Sequence, residues 1–511
     1  MNTYEKDNQG AIRMQTVVAD RALSIELSED FSLPDYQPEM KRLQRVKVTV
    51  MPPDVYIGSS GAECSGGVDY CIYYSGNDGA LYCTSQSGSY RFTLPMDAAD
   101  DLELSDGFLC ETDLIPELAT SRVIAPRKIS VKCRLRANAK IYATRRLCAG
   151  VGEGDRIERL CGEGACARVF LGTGEPIRLA DEILCEEKDR NLRVISGEGE
   201  VFVTEVSARS GAVSVRGELC MKLLCCREEA GDYFSMWRRI PFAGEVPVDG
   251  AEVNCEASAK GVCSELRITV EEGRILCEAA ILLRAKAERN ERFSYVRDLY
   301  STDREMKVTE QAVEMPVLLR TVNGNFSLNT AMGLEEAGIR HACSLIDLSG
   351  GAIVQSVAQE KGRCYVSGKC RLVATLADEG EIMSHELELP FRYETEGVEG
   401  AVTDNSFTAE VISCKGRIDG ERIGIDAEIA VCGSLRGRQS VHMVSDCEPG
   451  EAWQERGAVY TVCYPASDDT LWSVARRYHR SVGELLARNS LAGSPAADAK
   501  DSLAGVSFLV V

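Results

Sequence analysis

The residues with the greatest chemical reactivity in this sequence are its 22 cysteines and its four histidines. Zinc sites usually draw their ligands from closely spaced pairs such as C-x-x-C. The sequence has no C-x-x-C, and its nearest approaches are Cys161 with Cys166 and the adjacent Cys225 and Cys226. Many cysteines lie in alternating apolar runs such as GELCMKLLCC, where a free thiol behaves as a small hydrophobe. We predict reduced core cysteines without a metal or cofactor, and disulfides or a bound metal are the alternatives.

Motifs for catalysis are also missing from the sequence. His341, His385, His442 and His479 are far apart along the chain, and neither G-x-S-x-G nor H-E-x-x-H occurs. The glycine-rich stretches GVGEG and GTGEP lack the Lys-Ser/Thr pair that a phosphate-binding loop requires. We therefore expect a protein that is not an enzyme.

Length, composition and charge favour a soluble protein with protein partners. A chain of 511 residues predicts three or four domains, and 44% hydrophobic with 27% charged residues is typical of globular proteins. The net charge of −21 repels both nucleic acid and anionic lipid. The polar N-terminal stretch lacks a secretion signal, and no segment has about 18 consecutive apolar residues. We expect a cytosolic protein without membrane insertion.

Two markers recur along the chain at a spacing of about 150 residues, which indicates internal repeats. The first is a glycine ahead of an alternating apolar run, and the second is a phenylalanine at a later strand entry. The glycines are Gly67, Gly217 and Gly368, and the phenylalanines are Phe92, Phe242 and Phe391.

Each repeat also contains alternating stretches that read as β-strands, and EEGR and DGER mark hairpin turns in the last two. The predicted fold class is therefore mainly β, with three sandwich-like units and a small βααβ module at the end. The units are expected at residues 36–147, 191–291 and 335–445, with the first the weakest match. Around them we expect an extension at 1–35, irregular connectors at 148–190 and 292–334, a linker at 446–456 and the final module at 457–511.

The stretch DDTLWSVARRYHRSVGELLARNS, residues 468–490, predicts two short helices. Asp469 is expected to cap a helix that begins at Thr470, and Ser481 with Glu484 forms a capping box for the second helix. Leu471, Val474, Ala475 and Tyr478 form one apolar stripe, and Leu485 and Leu486 are expected to point inward. Trp472 lies off the stripe and is expected to be exposed.

With YTV ahead of these helices and a closing strand GVSFLVV, residues 457–511 resemble a LysM domain, and Asn489 lies where that family has an asparagine. The sequence departs from the family at two loops: YPASDDTLW lacks the glycine of a Pro-Gly-Asp turn, and DSLAGVSFLVV lacks a Pro-Gly-Gln. Those loops form the glycan groove of sugar-binding LysM domains.

The β-rich units, with the stretch RVIAPRKISVKCRLRA, ahead of a terminal LysM module are similar to the SPOCS-domain proteins of spore-forming Clostridia, the SipL family. The resemblance implies a spore coat adaptor in the mother-cell cytoplasm, at the forespore surface. It implies that the LysM module binds the coat ATPase, stage IV sporulation protein A, and that the β-rich units bind other coat proteins or each other.

The predicted partner-binding residues all lie in this last module. They comprise aromatic residues, the first helix cap and a basic cluster: Tyr460, Tyr464, Asp469, Thr470, Trp472, Arg476, Arg477, His479 and Arg480. Packing inside the module is the alternative for Trp472, and the helix dipole is an alternative reason for the basic cluster. Two other functions remain open, a peptidoglycan-binding wall protein and an enzyme anchored by the LysM module.

Overall fold

The computed structural model describes residues 11–58, 60–96, 102–148, 156–186, 192–227, 231–271, 273–339, 344–378, 381–453, 461–491, 503 and 506–511. Within these ranges the chain forms 22 β-strands and two short α-helices. The prediction of a mainly β protein is therefore confirmed.

The first group of strands forms two antiparallel sheets that enclose one apolar core, here called the first sheet pair. One sheet has the order β1-β7-β6, and in the other β4 lies between β5 and the consecutive β2 and β3. The strands are β1 Ala11–Ser32, β2 Met40–Val50, β3 Asp54–Gly58, β4 Gly61–Gly76, β5 Leu81–Pro95, β6 Leu102–Ala125 and β7 Lys128–Cys148.

The next strands form the second sheet pair, again around a core of its own. Its sheets have the orders β10-β11-β12 and β13-β14-β8, and β9 also pairs with β14. The strands are β8 Ile157–Thr173, β9 Ile177–Leu184, β10 Leu192–Arg209, β11 Ala212–Arg227, β12 Asp232–Pro247, β13 Glu256–Glu271 and β14 Arg274–Ser301.

The third sheet pair has the orders β16-β17-β18 and β15-β20-β19. Its strands are β15 Arg304–Gly333, β16 Ser344–Glu360, β17 Arg363–Asp378, β18 Glu381–Thr395, β19 Asp404–Asp419 and β20 Arg422–Ala452. The C-terminal module, the described part of residues 461–511, adds β21 Val462–Cys463, α1 Leu471–Tyr478, α2 Val482–Arg488 and β22 Leu509–Val510.

In each sheet pair, a glycine of the central strand lies opposite an aromatic residue of the adjacent strand. The aromatic ring lies where a glycine Cβ would be, so a side chain at the glycine would displace the ring. The pairs are Gly66 with Tyr90, Gly217 with Phe242, and Gly368 with Phe391. In the first sheet pair, Gly66 and Tyr90 make this contact, and the sequence markers Gly67 and Phe92 lie one and two residues from them.

The stretches 148–190 and 292–334 were expected to be irregular connectors, but they contain β8, β9, the end of β14 and all of β15. The expected extension 1–35 contains β1. Glycines in β8 obscured the strand pattern for a physical reason. Gly162 and Gly164 lie opposite Tyr295 and Phe293, and a Cβ at either glycine would come within 2.5 Å of the facing ring. These glycines make room for aromatic rings within a sheet and do not form a loop.

Candidate partner-binding surface of the C-terminal module

The two helices of the C-terminal module pack their apolar faces into a small core. Leu471, Val474 and Ala475 of α1 are buried and Tyr478 is half-buried, so the predicted stripe is confirmed. In α2 Leu485 is buried and Leu486 is half-buried against the same core. Cys463 and Leu509, paired across β21 and β22, close this core on the strand side.

The cap of α1 differs from the prediction by one residue. Thr470 is the N-cap, and its hydroxyl accepts a hydrogen bond of 3.1 Å from the backbone N–H of Ser473. Asp469 instead accepts hydrogen bonds from the backbone N–H of Ala466 and from the side chains of Arg477 and Ser473. The Ala466 N–H and the Arg477 guanidinium lower the pKa of Asp469. Asp469 therefore braces the turn before α1 from within the module.

The start of α2 confirms the Ser481 half of the predicted capping box. The Ser481 hydroxyl accepts a 3.1 Å hydrogen bond from the backbone N–H of Glu484, as an N-cap does. At the other end of α2, the Asn489 amide donates to the carbonyls of Leu485 and Val510 and accepts from the Val510 N–H. Asn489 thereby joins α2 to β22, which is a structural role.

Trp472 is buried, with 6% of its surface exposed, so the prediction of an exposed indole was wrong. Its Nε1–H donates a hydrogen bond of 2.8 Å to Asp298 Oδ2, and its ring meets Tyr300 edge-on at a centroid distance of 4.9 Å. Both partners belong to the end of β14, which is distant in sequence. The residues that cover Trp472 could not be identified from a helical pattern alone.

The residues of the predicted basic cluster mostly form contacts with other residues of this chain. Arg476 donates to Asp298 Oδ2 at 2.7 Å, and Arg477 binds Asp469 at the same distance. His479 is the C-cap of α1 and stacks on Trp453 with a ring centroid distance of 3.8 Å. Arg480 is exposed, and its backbone carbonyl accepts a hydrogen bond from the Tyr300 hydroxyl. The contacts with Asp298 and Tyr300 dock the C-terminal module on the second sheet pair, and the stacking of His479 joins it to Trp453 after β20.

The outer face of β21 and β22 carries the exposed apolar surface of this module. Tyr464 is 77% exposed, Phe508 54% and Val462 48%. The register pairs Val462 with Val510 and Cys463 with Leu509, so its continuation places Tyr464 opposite Phe508. We call Val462, Tyr464 and Phe508 the ribbon face. Exposed aromatic residues next to a strand pair are suited to bind a protein partner.

The predicted site residues thus divide into three groups. Tyr464 lies on the ribbon face, whereas Asp469, Thr470, Trp472, Arg476, Arg477, His479 and, through its backbone carbonyl, Arg480 make contacts within the protein. Tyr460 lies outside the described residues. Sequence reasoning missed Phe508, although the alternation in GVSFLVV places it on the face opposite Leu509.

No family model, no curated protein and no solved structure matches this chain. In the described ranges, no group of three His, Cys, Asp or Glu side chains is arranged to hold a metal ion. Neither of the two helices that the structure describes is long and apolar enough to span a membrane.

Proposed function

We propose that the chain is a non-enzymatic adaptor of the spore coat, which binds stage IV sporulation protein A through a LysM-type C-terminal module. In this proposal the three sheet pairs are copies of one SPOCS-type unit that bind further coat proteins. The protein then acts in the mother-cell cytoplasm, at the forespore surface.

The observation that carries the proposal is the exposed ribbon face on an otherwise well-packed module. The order strand, helix, helix, strand is the order of a LysM domain, which supports the resemblance of residues 457–511. The apolar side chains of both helices pack into the core, and Tyr464 and Phe508 are exposed on the opposite side of the strands. Aromatic side chains lose few rotatable bonds for the area they bury on binding, which favours a protein interface.

The three sheet pairs support a scaffold role by their similar construction. Each has a central strand with a glycine beneath an aromatic ring, flanked by antiparallel neighbours. In β2, β10 and β16 the register shifts at matching places, just before Arg45, Ser196 and Asp347. These positions keep one spacing along the sequence, as expected for three copies of one unit.

A binding experiment with two candidate partners tests the function. The full chain and a chain ending at Gly457 are tested against purified stage IV sporulation protein A and, separately, against insoluble peptidoglycan. The proposal expects the full chain to bind the ATPase, the shortened chain to lose that binding, and neither to sediment with peptidoglycan. Sedimentation of the full chain with peptidoglycan, without binding to the ATPase, would show a wall-binding protein instead.

A further inference from the structure

The three sheet pairs meet around a network of buried charges. Arg45 of the first pair donates to Glu198 of the second at 2.7 Å and to Asp347 of the third at 2.9 Å. Lys222 adds a 2.9 Å hydrogen bond to Asp347, and the Tyr73 hydroxyl donates to Glu198 at 2.6 Å. Burial acts against the charge on Glu198, but Arg45 and Lys222 hold its pKa well below the usual range. All three sheet pairs therefore contribute residues to this first network.

A second network joins the other sheets of the three pairs. Arg436 of the third pair donates to Glu288 of the second at 2.8 Å and to the Tyr142 hydroxyl of the first at 3.1 Å. The Tyr142 hydroxyl in turn donates to Glu111, which also binds Lys286. The two networks fix the sheet pairs to one another on both of their layers.

A cavity of about 900 Å³ lies among the three sheet pairs, with residues of both networks in its wall. This volume is within the range of about 300–1,000 Å³ that is typical of small-molecule sites. Asp54 and Val55 belong to the wall and are exposed, so the cavity reaches the surface beside β3. The space is accessible and bounded by a rigid frame.

The lysines of the cavity wall are paired with carboxylates. Lys47 binds Glu198 at 3.1 Å and Glu200 at 2.7 Å, and Lys260 binds Asp113 at 2.7 Å. Lys286 binds Glu111 at 2.7 Å and also pairs with Glu288. These ion pairs leave the lysines of the wall with little uncompensated positive charge for an anionic ligand.

Glu410, on β19, is an acid of the wall that is not paired in this way. Within the described ranges, no side chain or backbone group forms a hydrogen bond or an ion pair with its carboxylate. The Glu410 side chain is exposed at the cavity wall, and the sheets that form the wall surround it on its other sides. Burial, together with Glu200 and Asp113 against the opposing effect of Lys260, raises the pKa of Glu410 to about 7. A carboxylate held in such a site is stabilised by a cation that enters the cavity.

We propose that the cavity is a binding site for a small organic cation, with Glu410 as the residue that accepts a hydrogen bond from the ligand's ammonium group. Glu200 and Asp113 add negative potential next to Glu410, and the apolar parts of the wall contact the ligand's carbon chain. This site is independent of the ribbon face and of the proposed adaptor function.

Isothermal titration calorimetry with putrescine, using the full chain, tests the site. Putrescine is expected to bind and succinate is not. Glu410→Gln keeps the shape of the side chain and should weaken putrescine binding about tenfold, the order of one charge-assisted hydrogen bond. Glu360→Gln is the matched control, since Glu360 pairs with Arg392 on the surface, and it should leave binding unchanged.

The wild-type protein supplies a second test that needs no substitution. Glu410 faces Glu200 on β10, Asp113 on β6, Lys260 on β13 and Cys432 on β20. Putrescine should bind more tightly at about pH 8 than at about pH 6, because Glu410 gains its charge as the pH rises through its pKa. Absence of putrescine binding, equal binding by Glu410→Gln, or tighter binding of succinate would each overturn the proposal.

Discussion

The indole Nε1–H of Trp472 donates a hydrogen bond of 2.8 Å to Asp298 Oδ2, and Arg476 donates to the same oxygen at 2.7 Å. These two bonds join α1 to β14 across a sequence separation of more than 170 residues. Asp298 is therefore the main polar contact by which the C-terminal module is held on the second sheet pair. The ribbon face consequently has a fixed orientation relative to the sheets.

The substitution Asp298→Ala should loosen the C-terminal module without unfolding the sheets. Hydrogen bonds to a charged group contribute about 1.5–3 kcal/mol, so the free energy of opening α1 should fall by about that amount. Hydrogen exchange of the α1 amides measures this change. Asp419→Ala, at an exposed position at the end of β19, is the control and should leave α1 exchange unchanged. Unchanged α1 exchange in Asp298→Ala would show that the docking depends on other contacts.

The substitution Arg45→Met should destabilise the assembly of the three sheet pairs. It removes one of the two cations, Arg45 and Lys222, that the buried carboxylates of Glu198 and Asp347 share, and breaking a buried pair costs about 3–5 kcal/mol. The free energy of urea unfolding measures the loss. Arg134→Met removes the exposed pair with Glu26 and should cost less than about 1 kcal/mol. Equal effects of the two substitutions would contradict a structural role for the first network.

The substitution Gly368→Ala tests the contact between glycine and aromatic ring in the third sheet pair. A Cβ there would lie 2.5 Å from the Phe391 ring and would also meet the Ile353 carbonyl, so we expect a loss of about 1–3 kcal/mol. Gly351→Ala is the matched control on a neighbouring strand, because nothing lies within 4 Å of its Cβ position. Its effect should stay within about 0.5 kcal/mol. Similar thermal midpoints for both variants would mean that the strands shift to accept the methyl group.

The stability of the protein should fall with rising pH because of Glu410. Its pKa is raised from 4.5 to about 7 in the folded protein, so folding favours the protonated form. That contribution is fully present below about pH 4.5 and is lost as the pH rises through about 7. Relative to Glu410→Gln, the wild type should therefore lose stability between about pH 5 and pH 8. Urea unfolding measures the free energy of unfolding of both proteins across this range. A difference in that free energy that stays constant with pH would disprove the expectation.

The sequence predicted the features that depend on local pattern. Strand alternation gave the mainly β class, and the spacing of Leu471, Val474 and Ala475 gave the buried face of α1. It failed where the environment comes from distant segments. Trp472 is buried because Tyr300 and Asp298 cover it, and a single helix pattern contains no information on those residues.

The central charge networks show the same limit of sequence reasoning. Arg45, Glu198 and Asp347 lie in separate sheet pairs, and each alone is typical of a polar strand position. Their contact depends on how the sheet pairs are arranged around one another. The same holds for β8, where Gly162 and Gly164 indicated a loop because their role depends on aromatic rings of another strand.

One comparison of binding affinities tests the central claim most directly. The affinity for purified stage IV sporulation protein A is measured for the full chain and for the double variant Tyr464→Ser with Phe508→Ser. Both side chains are exposed, so the double variant should fold normally. Tyr36→Ser, at an exposed tyrosine of the first sheet pair, is the matched control. We predict at least about a hundredfold weaker binding for the double variant, as expected for two aromatic residues at an interface centre, and wild-type affinity for the control. Wild-type affinity of the double variant, or no binding by any of the three proteins, would contradict the account.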